Sequence, residues 1–280
     1  MTALEFDDVL EHIQDLPSLP AVVMELLNSI DQEDIDITVL ARKVSHDQAL
    51  TAKTLKLANS PIYATQVKVT TIQQAITLLG FKSVRTLITE AAVAGCFPSS
   101  RCAGFDFKAF WRHSIATAVC AKVLARHLHI NQDYSFTAGL LHDIGRLVLV
   151  TCFPRQYEQV LEYRAAHDCY MLDAEHQILG IDHVIAGHAL AEHWHFSDTM
   201  QKAIAGHHEP EVPGAGFLAA IVHVADFIVH GLDIAGAEDD LVPPLSLLAL
   251  NALGMDEPDF LRVFRETELH FEEISAALMA

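Results

Sequence analysis

Apolar residues recur at helical spacing along most of this chain, and no segment sustains the alternating pattern of a half-buried β-strand. One such stripe consists of Ile72, Ala75, Ile76 and Leu79, and Gly80 follows it directly. This spacing places the four apolar side chains on one face of a helix, and glycine commonly ends helices. Because similar stripes recur throughout the sequence, the pattern predicts an all-α fold.

The predicted helices fall into two regions that meet near residue 100. Proline, serine and glycine cluster from Pro98 to Gly104, which is a composition typical of a linker. We therefore predict an N-terminal helical subdomain at 1–100 and a second helical domain at 101–280, together forming one unit with a C-terminal helical extension. The first region carries little chemistry, so we interpret it as a docking or regulatory region, or as a structural cap.

The net charge limits the partners that the chain can bind. Its 280 residues have a formal net charge of −19, whereas nucleic-acid binding calls for clustered lysine and arginine. No run reaches the roughly 18 apolar residues of a membrane span, and the first residues lack the basic and apolar stretches of a signal peptide. We therefore expect a cytoplasmic protein that binds neither nucleic acid nor a membrane.

A buried His-Asp pair is the strongest sign of chemistry in the sequence. The segment from Tyr134 to Val150 is apolar on nearly every side, which predicts a buried helix, yet it contains His142 and Asp143. Burying such a pair is unfavourable without a partner, and a divalent metal ion is a suitable partner for both side chains. The five cysteines are widely spaced and form no Cys-x-x-Cys motif, so they predict neither a disulfide framework nor a zinc ribbon.

Other histidines and an aspartate could complete a metal site. His113 lies in helical register with Phe110 and is predicted to point inward. His207 and His208 follow a predicted helix, and Asp226 lies in an otherwise apolar run. A single buried histidine is more often a hydrogen-bonded core residue than a ligand, but the ordered set favours metal binding.

These residues and the segments around them resemble a known family. The ordered histidines and aspartates resemble the HD superfamily of metal-dependent phosphohydrolases, and over about residues 10–235 the chain resembles its HDOD family of bacterial signalling proteins. Four stretches carry the resemblance: Leu16-Pro17-Ser18-Leu19-Pro20, Phe110-Trp111-Arg112-His113-Ser114, Thr137-Ala138-Gly139-Leu140-Leu141-His142-Asp143-Ile144-Gly145-Arg146 and Ala174-Glu175-His176-Gln177-Ile178-Leu179-Gly180-Ile181-Asp182-His183. The resemblance implies an HD-like helical bundle whose core helices carry metal ligands.

The resemblance also implies a ligand set for two divalent ions. Carried over position by position, the first ion takes His113, His142, Asp143 and Asp226, and the second shares Asp143 and adds His183, His207 and His208. His183 has neighbours that could replace it, namely His176 and His188. We interpret four further histidines as surface or outer-sphere residues: His193, His195, His223 and His230. Five imidazoles favour iron, manganese, nickel, zinc or cobalt over calcium or magnesium.

The sequence departs from the related HD-GYP phosphodiesterases of cyclic di-GMP at three places. Ala109 stands where trinuclear relatives have a glutamate, Arg146 replaces a lysine, and Pro213 to Phe217 replaces the GYP stretch. We assign Asp143 and Arg146 as the candidate catalytic residues. We predict an HDOD-type signal-transduction protein with an HD-like binuclear metal site, whose ancestral activity is phosphoester hydrolysis on a nucleotide or cyclic nucleotide. The alternative is a non-catalytic metal-binding module that docks signalling proteins or senses a phosphate-bearing small molecule.

Overall fold

The computed structural model describes residues 4–28, 37–59, 68–97, 102–234, 236 and 241–278. Within these residues the chain forms α-helices and no β-strand, which confirms the predicted all-α fold. Residues 98–101 of the predicted linker lie outside the described residues. No single helix of the described part is long and apolar enough to cross a membrane. Within the same residues, the consecutive segments 132–152 and 154–167 reach that length and hydropathy only when taken together, and they are bent by 117° relative to each other.

One compact unit comprises 18–96 and 269–280. Its helices are α2 (Ala21–Asn28), α3 (Ile37–Ser45), α4 (Gln48–Ala58), α5 (Ile72–Leu79) and α6 (Phe81–Cys96). Helix α6 packs against α2, α4 and α5, and its Val84, Leu87 and Ile88 are buried. Thr71 caps the start of α5 by accepting a hydrogen bond from Gln74 N, and Gly80 ends it with a φ of 81°.

The other compact unit comprises 1–17 and 97–268. Its helices are α1 (Phe6–Asp15), α7 (Phe107–His127), α8 (Gln132–Leu141), α9 (Ile144–Cys152), α10 (Pro154–His167), α11 (Met171–Leu179), α12 (His183–His193), α13 (Asp198–Gly206), α14 (Gly216–Gly231), α15 (Leu247–Leu253) and the first part of α16 (Glu257–Leu278). The change of unit at residue 97 lies close to the predicted boundary. Residues 1–17 belong here, unlike in the predicted division, because α1 packs against α9 and α12.

The prediction of one continuous helix from Tyr134 to Val150 is wrong in one respect. It is interrupted at His142 and Asp143, which separate α8 from α9. Asp143 has a φ of −96° and a ψ of 14°, so its backbone leaves helical geometry. In an uninterrupted helix, adjacent side chains point about 100° apart. The interruption therefore changes the direction of two neighbouring ligands relative to each other.

Two glycines allow the helices that carry ligands to approach closely. A Cβ atom on Gly145 would lie 1.8 Å from the His183 carbonyl oxygen, so α9 and α12 touch through their backbones at this point. A Cβ atom on Gly139 would lie 2.8 Å from the Thr117 carbonyl oxygen, where α8 crosses α7. Both contacts require glycine because no side-chain atom fits in the gap. The Gly145 contact places the starts of α9 and α12 side by side.

Candidate metal centre

The seven predicted ligands all lie in the unit formed by 1–17 and 97–268. They come from α7, from the interruption between α8 and α9, from the first residue of α12, from the two residues after α13 and from α14: His113, His142, Asp143, His183, His207, His208 and Asp226. All of them are buried except His208, which is partly buried. Residues far apart in the sequence thus meet in the core of one unit.

Asp143 is the centre of one group. Its Oδ1 atom lies 3.3 Å from His183 Nε2 and 3.5 Å from His207 Nε2. His208 Nε2 lies 3.0 Å from His183 Nε2. These four residues offer ligand atoms within 4.8 Å of one another. The group has the same members as the ligand set predicted for the second ion.

Asp226 is the centre of a neighbouring group. Its Oδ1 atom lies 2.9 Å from His113 Nε2 and 3.6 Å from His142 Nε2. His142 Nε2 is also 3.6 Å from Asp143 Oδ1, so Asp143 borders both groups. The structure therefore brings together the four residues predicted for the first ion, with Asp143 where a shared ligand is expected.

His230 belongs to the same neighbourhood, although the sequence analysis interpreted it as a surface or outer-sphere residue. It follows Asp226 by one turn on α14, and its Nε2 atom lies 3.4 Å from Asp226 Oδ1. The rings of His230 and His113 have centres 4.6 Å apart. The spacing of four residues, which puts two side chains on one helix face, is the sequence signal that could have identified it.

Backbone carbonyl groups orient two of the imidazoles. His142 Nδ1 donates to the Gly139 carbonyl oxygen at 2.7 Å, and His207 Nδ1 donates to the Ile204 carbonyl oxygen at 2.8 Å. A carbonyl oxygen can only accept, so both Nδ1 atoms carry the hydrogen. In the neutral ring the lone pair is then on Nε2, the atom that faces the carboxylates. This arrangement is common in histidine ligands of metals.

A buried carboxylate, which the sequence analysis missed, orients His183. Glu175 is fully buried, and its Oε2 atom accepts from His183 Nδ1 at 2.5 Å and from the His183 backbone N–H at 2.9 Å. Its Oε1 atom accepts from the Tyr157 hydroxyl at 2.8 Å. Arg146 continues this network, because its guanidinium donates to Tyr157 at 3.4 Å and to Asp143 Oδ2 at 3.1 Å.

The two histidines that could have replaced His183 have other contacts. His176 Nε2 contacts the carboxylate of Asp182, which also caps α12 by accepting from Ile185 N. The side chain of His188 is 39% exposed and lies 4.0 Å from Glu192. Neither belongs to a group of residues that could share an ion within the described part of the chain.

Electrostatics keep both carboxylates ionised. Burial would raise the pKa of Asp143, but the nearby His142 and His183 hold it well below the usual range. Burial acts in the same direction on Asp226, and the imidazoles of His230 and His113 overcome it, so the pKa of this group is also far below its usual value. The site therefore presents two negative charges near neutral pH.

The imidazoles divide into two kinds. Burial lowers the pKa of His113, His207 and His208, so these rings are neutral near pH 7 and can offer a lone pair. Burial would also lower the pKa of His183, but the carboxylates of Glu175 and Asp143 raise it to about 9. A ring of this second kind gives up a proton when it becomes a ligand.

The donor set fits a divalent transition metal. Bonds of about 2.0–2.2 Å from a metal to nitrogen or oxygen place neighbouring ligand atoms roughly 3.0–3.5 Å apart. The paired ligand atoms of this cluster are 2.9–3.6 Å apart. Asp226 Oδ1 and His207 Nε2 are buried, and among the described residues neither makes a hydrogen bond of regular geometry, although ligand atoms lie close to both. A cation between the ligands would satisfy both atoms.

A cavity of about 250 Å³ opens over the cluster. Asp143, His183 and His208 line this cavity, and so do Arg146 and Arg164. The segment Pro213 to Phe217 does not line this cavity. A ligand in the cavity would therefore meet both the metal ligands and positive charge.

The sequence profile of the HDOD domain matches residues 16–210. An uncharacterized protein of Treponema pallidum (strain Nichols) is 25% identical over 211 residues, which cover 73% of this chain and 40% of that protein. Ribonuclease Y of Lactobacillus gasseri is 32% identical over 116 residues, 41% of this chain and 16% of the ribonuclease. The chain thus spans less than half the length of these relatives.

The fold also matches a solved structure. A candidate phosphohydrolase from Shewanella amazonensis SB2B superposes with a TM-score of 0.74 and 29% identity, covering 98% of both chains. Because the family profile covers well over half of the sequence, the chain belongs to the HDOD domain family.

Proposed function

We propose that this HDOD protein binds two divalent transition-metal ions and hydrolyses a small phosphate ester of about mononucleotide size, within a signalling role. The observation that carries the proposal is that part of the His/Asp cluster, namely Asp143, His183, His208 and Asp226, lines a cavity that Arg146 and Arg164 also line. The names of the Shewanella and Lactobacillus relatives support phosphoester chemistry.

The ligand set supports iron, manganese, nickel, zinc or cobalt, because imidazole nitrogen suits these ions better than it suits calcium or magnesium. When bound, such ions lower the pKa of a bound water and polarise a phosphoryl oxygen. Asp143 is the residue expected to hold both ions, because its Oδ1 atom lies within 3.6 Å of His142, His183 and His207.

Arg146 is expected to serve the site by positioning Asp143. Its guanidinium donates to Asp143 Oδ2 and to the Tyr157 hydroxyl. Burial would raise the pKa of Asp143, and the charge of Arg146 adds to the larger effects of His142 and His183 that hold this pKa low. It also lines the cavity, so its outer face can approach a phosphate. Arg164 lines the same cavity from α10 and would add a second positive charge.

The cavity supports a small substrate over a cyclic dinucleotide. Sites for drug-sized ligands enclose about 300–1,000 Å³, whereas this cavity encloses about 250 Å³. A cyclic dinucleotide that does not fit cannot place its phosphate in line with the attacking water, and a displacement of about 1 Å can cost on the order of a hundredfold in rate. We therefore expect phosphate-bearing ligands of mononucleotide size to be preferred.

A second candidate is a non-catalytic module that senses a phosphate-bearing ligand and docks signalling proteins. One observation favours it: the guanidinium of Arg146 is already engaged with Asp143 and Tyr157, so less of it is available to a transition state. The N-terminal helices of 18–96 would then present the docking surface.

Assays of ligand binding and turnover separate these functions. With fully metallated protein we expect metal-dependent binding of inorganic phosphate and hydrolysis of a mononucleotide or a cyclic mononucleotide. Cyclic di-GMP should be cleaved on the order of a hundredfold more slowly, because it cannot be aligned in the cavity. The measurement is steady-state turnover of each compound beside an Asp143→Ala control. Phosphate binding without any turnover would favour the sensing module, and rapid cleavage of cyclic di-GMP would contradict the predicted substrate size.

A further inference from the structure

We propose that His230 is an additional ligand of the first metal ion, an inference that rests on the binuclear site proposed above. The first ion would then be held by five protein side chains: His113, His142, Asp143, Asp226 and His230. The second ion would have four. The open coordination positions would therefore lie mainly at the second ion, which is where a phosphate oxygen would bind.

The geometry around Asp226 carries this assignment. Three imidazole Nε2 atoms face the same carboxylate oxygen, Oδ1, at 2.9 Å from His113, 3.4 Å from His230 and 3.6 Å from His142. His113, Asp226 and His230 offer ligand atoms that all lie within 4.8 Å of one another. Nitrogen atoms at these distances from one oxygen have the spacing of neighbouring ligands around a shared cation, roughly 3.0–3.5 Å.

The position of His230 on the helix supports the same role. Asp226 and His230 are four residues apart on α14, so their side chains lie on one face, one turn apart. Two ligands at this spacing on one helix can bind the same ion, as they do in other helical metal sites. The ring of His230 is also 4.6 Å from that of His113 on α7, which places it at the junction of the two helices.

The competing role is that of an outer-sphere partner, in which His230 contacts Asp226 without touching the ion. His223 shows what such a partner looks like on the same helix. Its Nδ1 atom donates to the His207 carbonyl oxygen at 2.7 Å, and its Nε2 atom accepts from Ser246 N at 2.9 Å. Both ring nitrogens of His223 are therefore occupied by protein groups. His230 instead directs Nε2 at the oxygen shared by two other predicted ligands.

The test uses cobalt as the probe, because the absorption spectrum of bound Co²⁺ depends on the number and type of its ligands. The protein of 280 residues is loaded with Co²⁺ as wild type, as His230→Ala and as His223→Gln. The His223→Gln variant is the matched control, since His223 lies on the same helix and lines the same cavity. Cobalt affinity, cobalt stoichiometry and the spectrum are measured for each protein.

We expect His230→Ala to lower the affinity for one of the two cobalt ions by at least about 100-fold, which is the upper end of the loss caused by removing an outer-sphere partner. We also expect the variant to change the cobalt absorption spectrum. Added imidazole should restore the spectrum, because His230 lines the cavity and leaves a space that solvent reaches. The His223→Gln variant should keep the wild-type spectrum.

The outcomes separate the two proposals. If the wild-type protein binds no cobalt, the proposed function fails and this inference fails with it. If the wild type binds two ions and His230→Ala binds two with unchanged affinity and spectrum, the binuclear site stands and the assignment of His230 is wrong. A lower affinity with an unchanged spectrum would also contradict it, because that result indicates an outer-sphere role.

Discussion

Replacing Asp143 with alanine is expected to remove both metal ions, whereas His183→Ala is expected to remove mainly one. The reason is position: Asp143 Oδ1 lies within 3.6 Å of His142 Nε2, which belongs to the first group, and of His183 and His207 Nε2, which belong to the second. Starting from about two ions per chain, we expect the alanine variant to retain almost none. Elemental analysis of the purified variants measures this directly.

The control for this prediction is Asp198→Ala. Asp198 is 77% exposed and pairs with Lys202 on the surface of α13, so its loss should leave the metal content unchanged. The Asp143→Ala protein should also be less stable than the wild type when metal is present, because binding to the folded state adds to the free energy of unfolding. Equal metal losses in Asp143→Ala and His183→Ala would contradict a shared ligand.

Gly145→Ala is expected to have the second large effect, although glycine carries no chemistry itself. The added Cβ atom would lie 1.8 Å from the His183 carbonyl oxygen and 2.5 Å from Gly187 N. Since both contacts are backbone atoms, α9 and α12 must move apart. Overpacking of a core typically costs up to about 3 kcal/mol, which corresponds to roughly 6–12 °C in the midpoint of thermal unfolding. The movement should also displace His183 and weaken the second ion.

The matched control is Gly95→Ala in α6, where the new Cβ atom would meet only the end of the flexible Lys53 side chain, at 2.9 Å. Alanine is favoured over glycine within helices by about 1 kcal/mol, so this variant should unfold at the wild-type temperature or slightly above it. Thermal unfolding and metal content are measured for both variants. A Gly145→Ala protein with wild-type values of both would show that the backbone contact of α9 and α12 does not shape the site.

Local sequence signals predicted the helices and several of their ends. The side chain of Asp106 caps α7 by accepting hydrogen bonds from Lys108 N and Ala109 N, a local contact that an aspartate directly before an apolar stripe favours. Gly80 ends α5 with a positive φ, as predicted. These features depend on neighbours within a few residues, so a pattern in the sequence contains the information that they need.

The interruption at His142 and Asp143 could not be read from the apolar pattern. The residues on both sides are buried, so hydrophobic periodicity continues through the turn without a break. The sequence shows a glycine at position 145, but the reason that glycine is required there is the carbonyl group of His183, which lies on another helix. A contact between residues so far apart in the chain is a property of the packing.

The outer residues of the site were missed for a similar reason. Glu175 and Tyr157 lie on α11 and α10, and nothing in their local sequence indicates that they meet at His183. His230 had a signal, its spacing of four residues from Asp226, but its meaning became visible only beside His113 on α7. The resemblance to a family predicted the residues that meet at the centre, and packing determines the residues that surround them.

The most direct test of the account is the metal content of the wild-type protein. The protein is prepared anaerobically without chelator, in the presence of iron, manganese or nickel, and analysed for elements after gel filtration. The cluster around Asp143 and Asp226 predicts about two transition-metal ions per chain, as in other two-metal sites. Protein that is folded by circular dichroism and yet contains no transition metal under all of these conditions would contradict the central claim.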